Sequence, residues 1–310
     1  MGRDAPPGRR HHATRRVGFG ILSFMPCKRG TLVQAADMLP ARCVGRWSGD
    51  KLYYVRAYLE LFSRAMHKKF PVRHYIDLFA GPGRCRFDDD SGEIDGSPLV
   101  ALSLSQPFTK YHFVEANPNA LDALKRRVSA RAAHVDVTFY GADANKAIDS
   151  LRDAIPQKAL TVVVIDPTGL HLHFESLRRL VSARRMDLIY LFPEGMAAKR
   201  NIAKFLKQDR SALDDTLGSR AWRRRVPTAA VLARLDQLEA LHRPLVELLR
   251  SQLGTLGYQN VSLGEEILIR SVSRNLPLYY LVFASKDRLG HTFWNMIRKT
   301  DAAGQTELFQ

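Results

Sequence analysis

Read as a pattern of apolar and polar positions, the chain changes character near Trp47. Residues 1 to 46 show no sustained periodicity and are rich in Arg, Pro and Gly, so they bury too little to offset chain entropy and read as a basic, disordered extension. Beyond them, Leu52, Val55, Leu59, Phe62 and Met66 recur at three- and four-residue spacing and predict an amphipathic helix over 51–70. Short apolar runs then mark strands at Tyr75–Phe79, Tyr111–Glu115, Val135–Tyr140, Thr161–Ile165 and Asp187–Phe192. Helix-periodic segments separate them at Pro98–Ser105, Ala120–Val128, Asn145–Ala154 and Phe174–Ala183. Such alternation calls for a parallel sheet with helices on both faces. A polar, Arg-rich stretch and a long helix from about Thr228 to Gly254 make a basic helical insertion at about 195–254. Two last strands, Tyr258–Val272 and Leu278–Ser285, are joined by a short turn and close the sheet as an antiparallel hairpin, within one domain over 47–310.

The run Tyr75-Ile76-Asp77-Leu78-Phe79-Ala80-Gly81-Pro82-Gly83 is a buried strand entering a glycine loop, and open α/β sheets bind ligands at such strand ends. Gly81 and Gly83 let a ligand approach the backbone of Phe79 and Ala80, while Asp77 reaches either a ligand ammonium or the loop amides. A dinucleotide site would open a helix here with free N–H groups for a pyrophosphate; Pro82 deletes a donor and a polar insertion, Arg84 to Gly96, follows. S-adenosylmethionine (SAM) has no phosphate, so the same loop suits it. The second strand ends at Glu115, a carboxylate able to accept both ribose hydroxyls. After the third, Asp143 beside Ala144 either takes an adenine amino group or caps the next helix. The fourth ends in Asp166-Pro167-Thr168-Gly169-Leu170, where a methyl acceptor would lie; Asp166 and Pro167 are the catalytic candidates. The second proline and the aromatic of base-methylating tetrads are missing from this segment. His171 and His173 lack a third ligand and read as ordinary polar residues, so no metal is expected. A Rossmann-like class I methyltransferase fold, with a mostly parallel seven-stranded sheet and a C-terminal antiparallel hairpin, accounts for these features together.

Charge adds a partner class. Forty-seven Lys and Arg against 31 Asp and Glu give a formal net charge of +16, which favours polyanions and nucleic acid above all. Arg220, Trp222, Arg223, Arg224 and Arg225 set an aromatic among cations and are the candidates for tracking phosphates and stacking a base; Lys199 and Arg200 precede them. The alternative is a solvated helical face with Trp222 turned into the core. Cys27, Cys43 and Cys85 are odd in number, widely spaced and without a zinc pattern, which fits a reducing, cytoplasmic setting, and no run is long enough to span a membrane.

Trp47 with Lys51, the Tyr75–Gly83 loop, Gly96-Ser97-Pro98-Leu99, Phe113-Val114-Glu115 and Asp166-Pro167-x-Gly169-Leu170 together resemble the three-Cys-motif partner (TcmP) family. The resemblance implies a SAM-methyltransferase-like protein working with a radical-SAM-type protein that carries the cysteine motif, and it implies no substrate. Where the family carries an aromatic, this chain has Thr168. Two functions follow: a SAM-dependent methyltransferase acting on nucleic acid, RNA before DNA, or a non-catalytic partner that keeps the fold.

Overall fold

The computed structural model describes residue 1 and residues 26–198, 201–225, 239–258, 264–271 and 275–300. Lys199, Arg200, most of the basic extension and the first part of the helix expected from Thr228 lie outside the described residues. In chain order the first elements are β1 (Leu32–Gln34), β2 (Pro40–Val44), α1 (Trp47–Met66), β3 (Arg73–Asp77), β4 (Arg84–Phe87), β5 (Glu93–Asp95) and α2 (Ser97–Leu102). The central part comprises β6 (Lys110–Val114), α3 (Pro118–Ala132), β7 (Val137–Tyr140), α4 (Ala144–Ala154), β8 (Leu160–Ile165), α5 (Phe174–Val181) and β9 (Arg185–Phe192). A π-helical turn (Glu194–Ala198), α6 (Ile202–Leu206), α7 (Ala212–Leu217), α8 (Trp222–Arg225) and α9 (Glu239–Thr255) lead to β10 (Ile267–Arg270), β11 (Pro277–Ala284) and α10 (Arg288–Ile297).

Seven strands form one sheet in the order β10-β11-β9-β8-β3-β6-β7. β7, β6, β3, β8 and β9 run parallel, whereas β11 runs antiparallel to both β9 and β10. This is the class I methyltransferase arrangement, and the strand order reverses at β3, between β6 and β8. Both sheet faces are covered, so successive residues of one strand enter opposite cores: Val163 and Ile165 pack with α4, α5 and α9, Val162 and Val164 with α1 and α3. α10, which the sequence pattern leaves unread, lays Trp294 on Phe283 with ring centroids 5.1 Å apart and so closes the second core against α1.

The main departure from the sequence expectation is a second, four-stranded sheet, β1-β2-β4-β5. Residues 26–46 were expected to be disordered, yet β1 pairs antiparallel with β2, and β2 pairs parallel with β4, Arg42 opposite Cys85 and Cys43 opposite Arg86. The polar insertion after Gly83 supplies β4 and β5. The physical reason is that these strands are stabilised by one another across α1, which no local periodicity reveals. A disulfide joins Cys27 to Cys43 and leaves Cys85 as the free thiol, so the three cysteines are not the unpaired set their spacing suggests. Arg127 of α3 ties this sheet to the main one: its side chain is 3% exposed, and it donates to both Asp37 carboxylate oxygens (2.7 and 2.8 Å), to the Pro40 carbonyl (2.6 Å) and to the Pro82 carbonyl (2.6 Å). Among the described residues no helix is long and apolar enough to cross a membrane.

Candidate functional site

At the carboxyl ends of β3, β6, β7 and β8 lies a cavity of about 600 Å³, within the size range of small-molecule sites. Its floor is the glycine loop. Gly81 and Gly83 adopt positive φ (61° and 80°), and a Cβ on Gly83 would sit 2.8 Å from a Leu124 methyl, so only glycine allows the loop to lie this close to α3. Phe79, Ala80, Gly81 and Gly83 all line the cavity.

Asp77 does not line it. The carboxylate is fully buried beneath the loop, accepting from the Phe79 amide (3.2 Å) and the Tyr75 hydroxyl (3.2 Å). Burial pushes its pKa up to about 7 against these hydrogen bonds. Of the two roles its position allowed, bracing the loop is the one the geometry displays.

The other acids face the cavity. Glu115, after β6, accepts the Gly81 amide on Oε2 (2.9 Å) and the Asn117 amide on Oε1 (2.7 Å). Asp143, after β7, caps α4 by accepting the Asn145 amide on Oδ1 (2.9 Å), while its carboxylate and Ala144 still border the cavity. Asp166 and Pro167, after β8, form the wall with Thr168 and His171.

Asp166 is paired with Lys51, which opens the second turn of α1, and the two side chains are 20% and 14% exposed. Burial works against the ammonium, but the opposed carboxylate outweighs it and the Lys51 pKa is raised. Lys51 stands one helical turn after Trp47, which also lines the cavity; in the sequence the two entered only through the family resemblance, and Lys51 was not a candidate site residue. The four-stranded sheet roofs the space with Arg42, Cys43, Arg84 and Cys85, and burial beside this group pushes the Cys85 thiol up to about 11. None of these roof residues was a candidate for the site in the sequence, where Cys43 and Cys85 counted only as widely spaced cysteines, because their strands were not read.

The Arg220–Arg225 cluster is different from its expected form. Trp222 is fully buried and donates Nε1–H to Asp214 (2.7 Å), so it cannot stack a base. Arg223 pairs with the same carboxylate (2.7 Å) and lies over the indole at 4.8 Å. Although burial opposes it, these bonds and the Ser211 amide hold Asp214 down to about 2. A buried indole needs a partner for its N–H, and Asp214 in its capping box supplies it. Arg220, Arg224 and Arg225 remain exposed. Among the described residues no group of His, Cys, Asp and Glu could hold a metal ion.

No protein-family model matches the sequence, and no curated protein matches it. Solved structures do resemble it. Trm1 from Pyrococcus horikoshii in complex with S-adenosyl-L-methionine matches 85% of this chain and 64% of its own at 11% identity and a TM-score of 0.39. Spermidine synthase from Thermotoga maritima matches 81% and 62% at 8% identity and 0.43. A protein from Legionella pneumophila matches 52% and 73% at 14% identity and 0.36. At these values the likenesses bear no weight beside the strand order itself.

Proposed function

We propose that this chain is a SAM-dependent methyltransferase of the three-Cys-motif partner type, with nucleic acid, RNA before DNA, as the acceptor. The observation that carries the reading is the convergence of Glu115, Asp143 and Asp166, from the ends of three successive strands, with the glycine loop on one cavity at the reversal of strand order. The residues fit the cofactor: Glu115 for the ribose hydroxyls, Asp143 and Ala144 for the adenine, and the loop from Phe79 to Gly83 for the methionine part. SAM supplies an electrophilic methyl group. This chain's contribution is to hold the acceptor atom at Asp166 and Pro167, where the carboxylate accepts a hydrogen from it, and to keep Pro82 where a pyrophosphate-binding amide would otherwise stand.

A second reading has its own observation. The Lys51 ion pair engages the carboxylate that the acceptor needs, as in a protein that keeps the fold and serves only as a partner. Calorimetric titration with SAM, followed by single-turnover transfer of labelled methyl to RNA, DNA and protein, separates the two. The expected results are micromolar SAM affinity, lost by at least about tenfold in Glu115→Ala, or about 1.4 kcal/mol, and turnover lowered by about 10² to 10⁴-fold in Asp166→Ala with SAM affinity kept. SAM binding without transfer to any acceptor would favour the partner reading, and saturable NADH binding in its place would overturn both.

A further inference from the structure

A second cleft, of about 760 Å³, lies beside the cavity and shares Asp143 with it. Three segments meet there. The Asn145 side chain, in the first turn of α4, donates to the His171 carbonyl (2.8 Å) and accepts the His173 amide (2.9 Å), which fixes the start of α5 beside the start of α4. Gly218, at the end of α7, packs against the first residue of α5, so that a Cβ on it would stand 2.5 Å from the Phe174 ring. The start of α5 is uncapped: His173 at the N-cap position makes no side-chain cap, and the amides of Phe174 and Glu175 meet no acceptor among the described residues. Ser176, in the same turn, is 4% exposed and lines the cleft. Its hydroxyl has no hydrogen-bond partner among the described residues, yet it is not sealed from solvent, so the cleft is its open side. Lys146 and Arg220 border the same cleft, are exposed, and form no ion pair among the described residues. The acids around it are all engaged. Asp143 caps α4, Glu175 turns to Arg178 (2.7 Å), Asp215 pairs with Arg210 (2.7 Å), and Asp214 is taken by Trp222 and Arg223.

We propose that this second cleft is a phosphate-binding site, with the Glu175 amide and the Ser176 hydroxyl as fixed donors at the start of α5 and Lys146 and Arg220 as the countercharge. A helix N-terminus presents free amides and a partial positive charge, and α5, at eight residues, is long enough to do so. The four groups all donate, so they suit an oxyanion and no cation. Two unpaired cations match a phosphate better than a carboxylate, which carries a single charge. The site does not depend on the methyl-transfer reading, because its donors lie outside the cavity that would hold SAM. The phosphate comes either from a nucleic-acid strand or from a free phosphorylated molecule. In both cases Arg220 serves from the edge of the cleft, while Trp222 and Arg223 of the same segment stay bound to Asp214.

The test is calorimetric titration of the full chain with inorganic pyrophosphate and, separately, with a short oligouridylate, at one fixed low salt concentration. Lys146→Gln, Arg220→Gln and Ser176→Ala are each expected to weaken pyrophosphate by about fivefold or more, and the double change Arg224→Gln, Arg225→Gln by less than about twofold. Glu175→Gln removes a like charge beside the anion and should strengthen binding. The Glu175 amide resonance should shift as pyrophosphate is added. A nucleic-acid source predicts that oligouridylate binds tighter than pyrophosphate and loses the same factor in the Lys146 and Arg220 variants; a free phosphorylated molecule predicts no gain over pyrophosphate. Absence of pyrophosphate binding by the wild type, or wild-type affinity in the Lys146→Gln and Arg220→Gln proteins, would overturn the proposal. Both change exposed side chains, so they carry the comparison if Ser176→Ala fails to fold. The titration is repeated with SAM present. Unchanged pyrophosphate affinity is expected, and loss of pyrophosphate binding as SAM binds would put the anion in the cavity and sink the second site. Pyrophosphate binding by a protein that ignores SAM would count against the methyl-transfer reading and leave the phosphate site standing.

Discussion

Lys51 and Asp166 form an ion pair between the second turn of α1 and the segment after β8, and both residues line the cavity. Lys51→Met would leave a largely enclosed carboxylate without its partner. The expected result is a loss of about 1 to 3 kcal/mol in denaturant unfolding, with SAM affinity retained. Because the Lys51 pKa is raised, the pair's contribution is complete below the unfolded value of 10.5 and is lost as pH rises through the folded one. Wild type and Lys51→Met should therefore converge in stability only at strongly alkaline pH.

Asp77 titrates in the opposite sense from most carboxylates. Its folded pKa of about 7 lies above the ordinary 3.8, so its stabilising contribution is full below 3.8 and declines as pH rises to about 7. Asp77→Asn keeps an acceptor for the Phe79 amide without the buried charge. Its stability relative to wild type should increase between pH 4 and 7, and by pH 8 it should exceed wild type by about 1 to 3 kcal/mol. A flat difference across that range in parallel urea titrations would show that the carboxylate is ionised throughout.

His74 and His112 contribute the reverse slope. They are buried side by side, Nδ1 to Nε2 at 3.1 Å, with the His112 Nδ1 3.0 Å from the Tyr140 hydroxyl. Burial holds their pKa values down to about 4 and about 3. Their stabilisation is present above 6.5 and is lost as pH falls through this window, by at most about 1.4 kcal/mol per pH unit for each ring. Monitoring the two ring resonances by NMR should show neither titrating between pH 5 and 8.

Arg127 should be the most sensitive surface-to-core position outside the cavity. Arg127→Met removes donors from Asp37, Pro40 and Pro82 together, and the loss of a buried charge with this many partners is expected to cost about 3 to 5 kcal/mol. Asp37→Asn, whose side chain is 37% exposed, should cost less. Thermal midpoints of both variants, with and without SAM, also report whether the Pro82 carbonyl contact holds the loop in its binding shape.

The main sheet was legible because each of its strands is a local event. An apolar run such as Thr161-Val162-Val163-Val164-Ile165, buried on both faces, needs no distant residue to be recognised, and the closing hairpin distinguished the topology. That Gly81, Gly83, Glu115, Asp143 and Asp166 stand together at the strand ends was legible because glycines and acids there are conspicuous against apolar sequence. The roof was not legible. β1 and β2 have three and five residues, β2 carries Arg42 and Cys43, and β2 depends on β4 beyond α1 for its second partner. Charge misled at Trp222 and Arg223, where sequence shows cations around an aromatic but not Asp214, which engages both.

The roof is threaded from two places in the chain, β1 and β2 ahead of α1, β4 and β5 between β3 and α2. Neither half is a sheet without the other: β2 has β4 as its inner neighbour, and β4 has β2. A deletion confined to the amino-terminal half would therefore expose the edge of β4 as well, and a changed loop after Gly83 would strand β2. An evolving lineage could not trade this roof for another by one local event. It would have to revise two separated segments in step, or abandon the structure whole, while the glycine loop and the strand-end acids beneath could stay as they are.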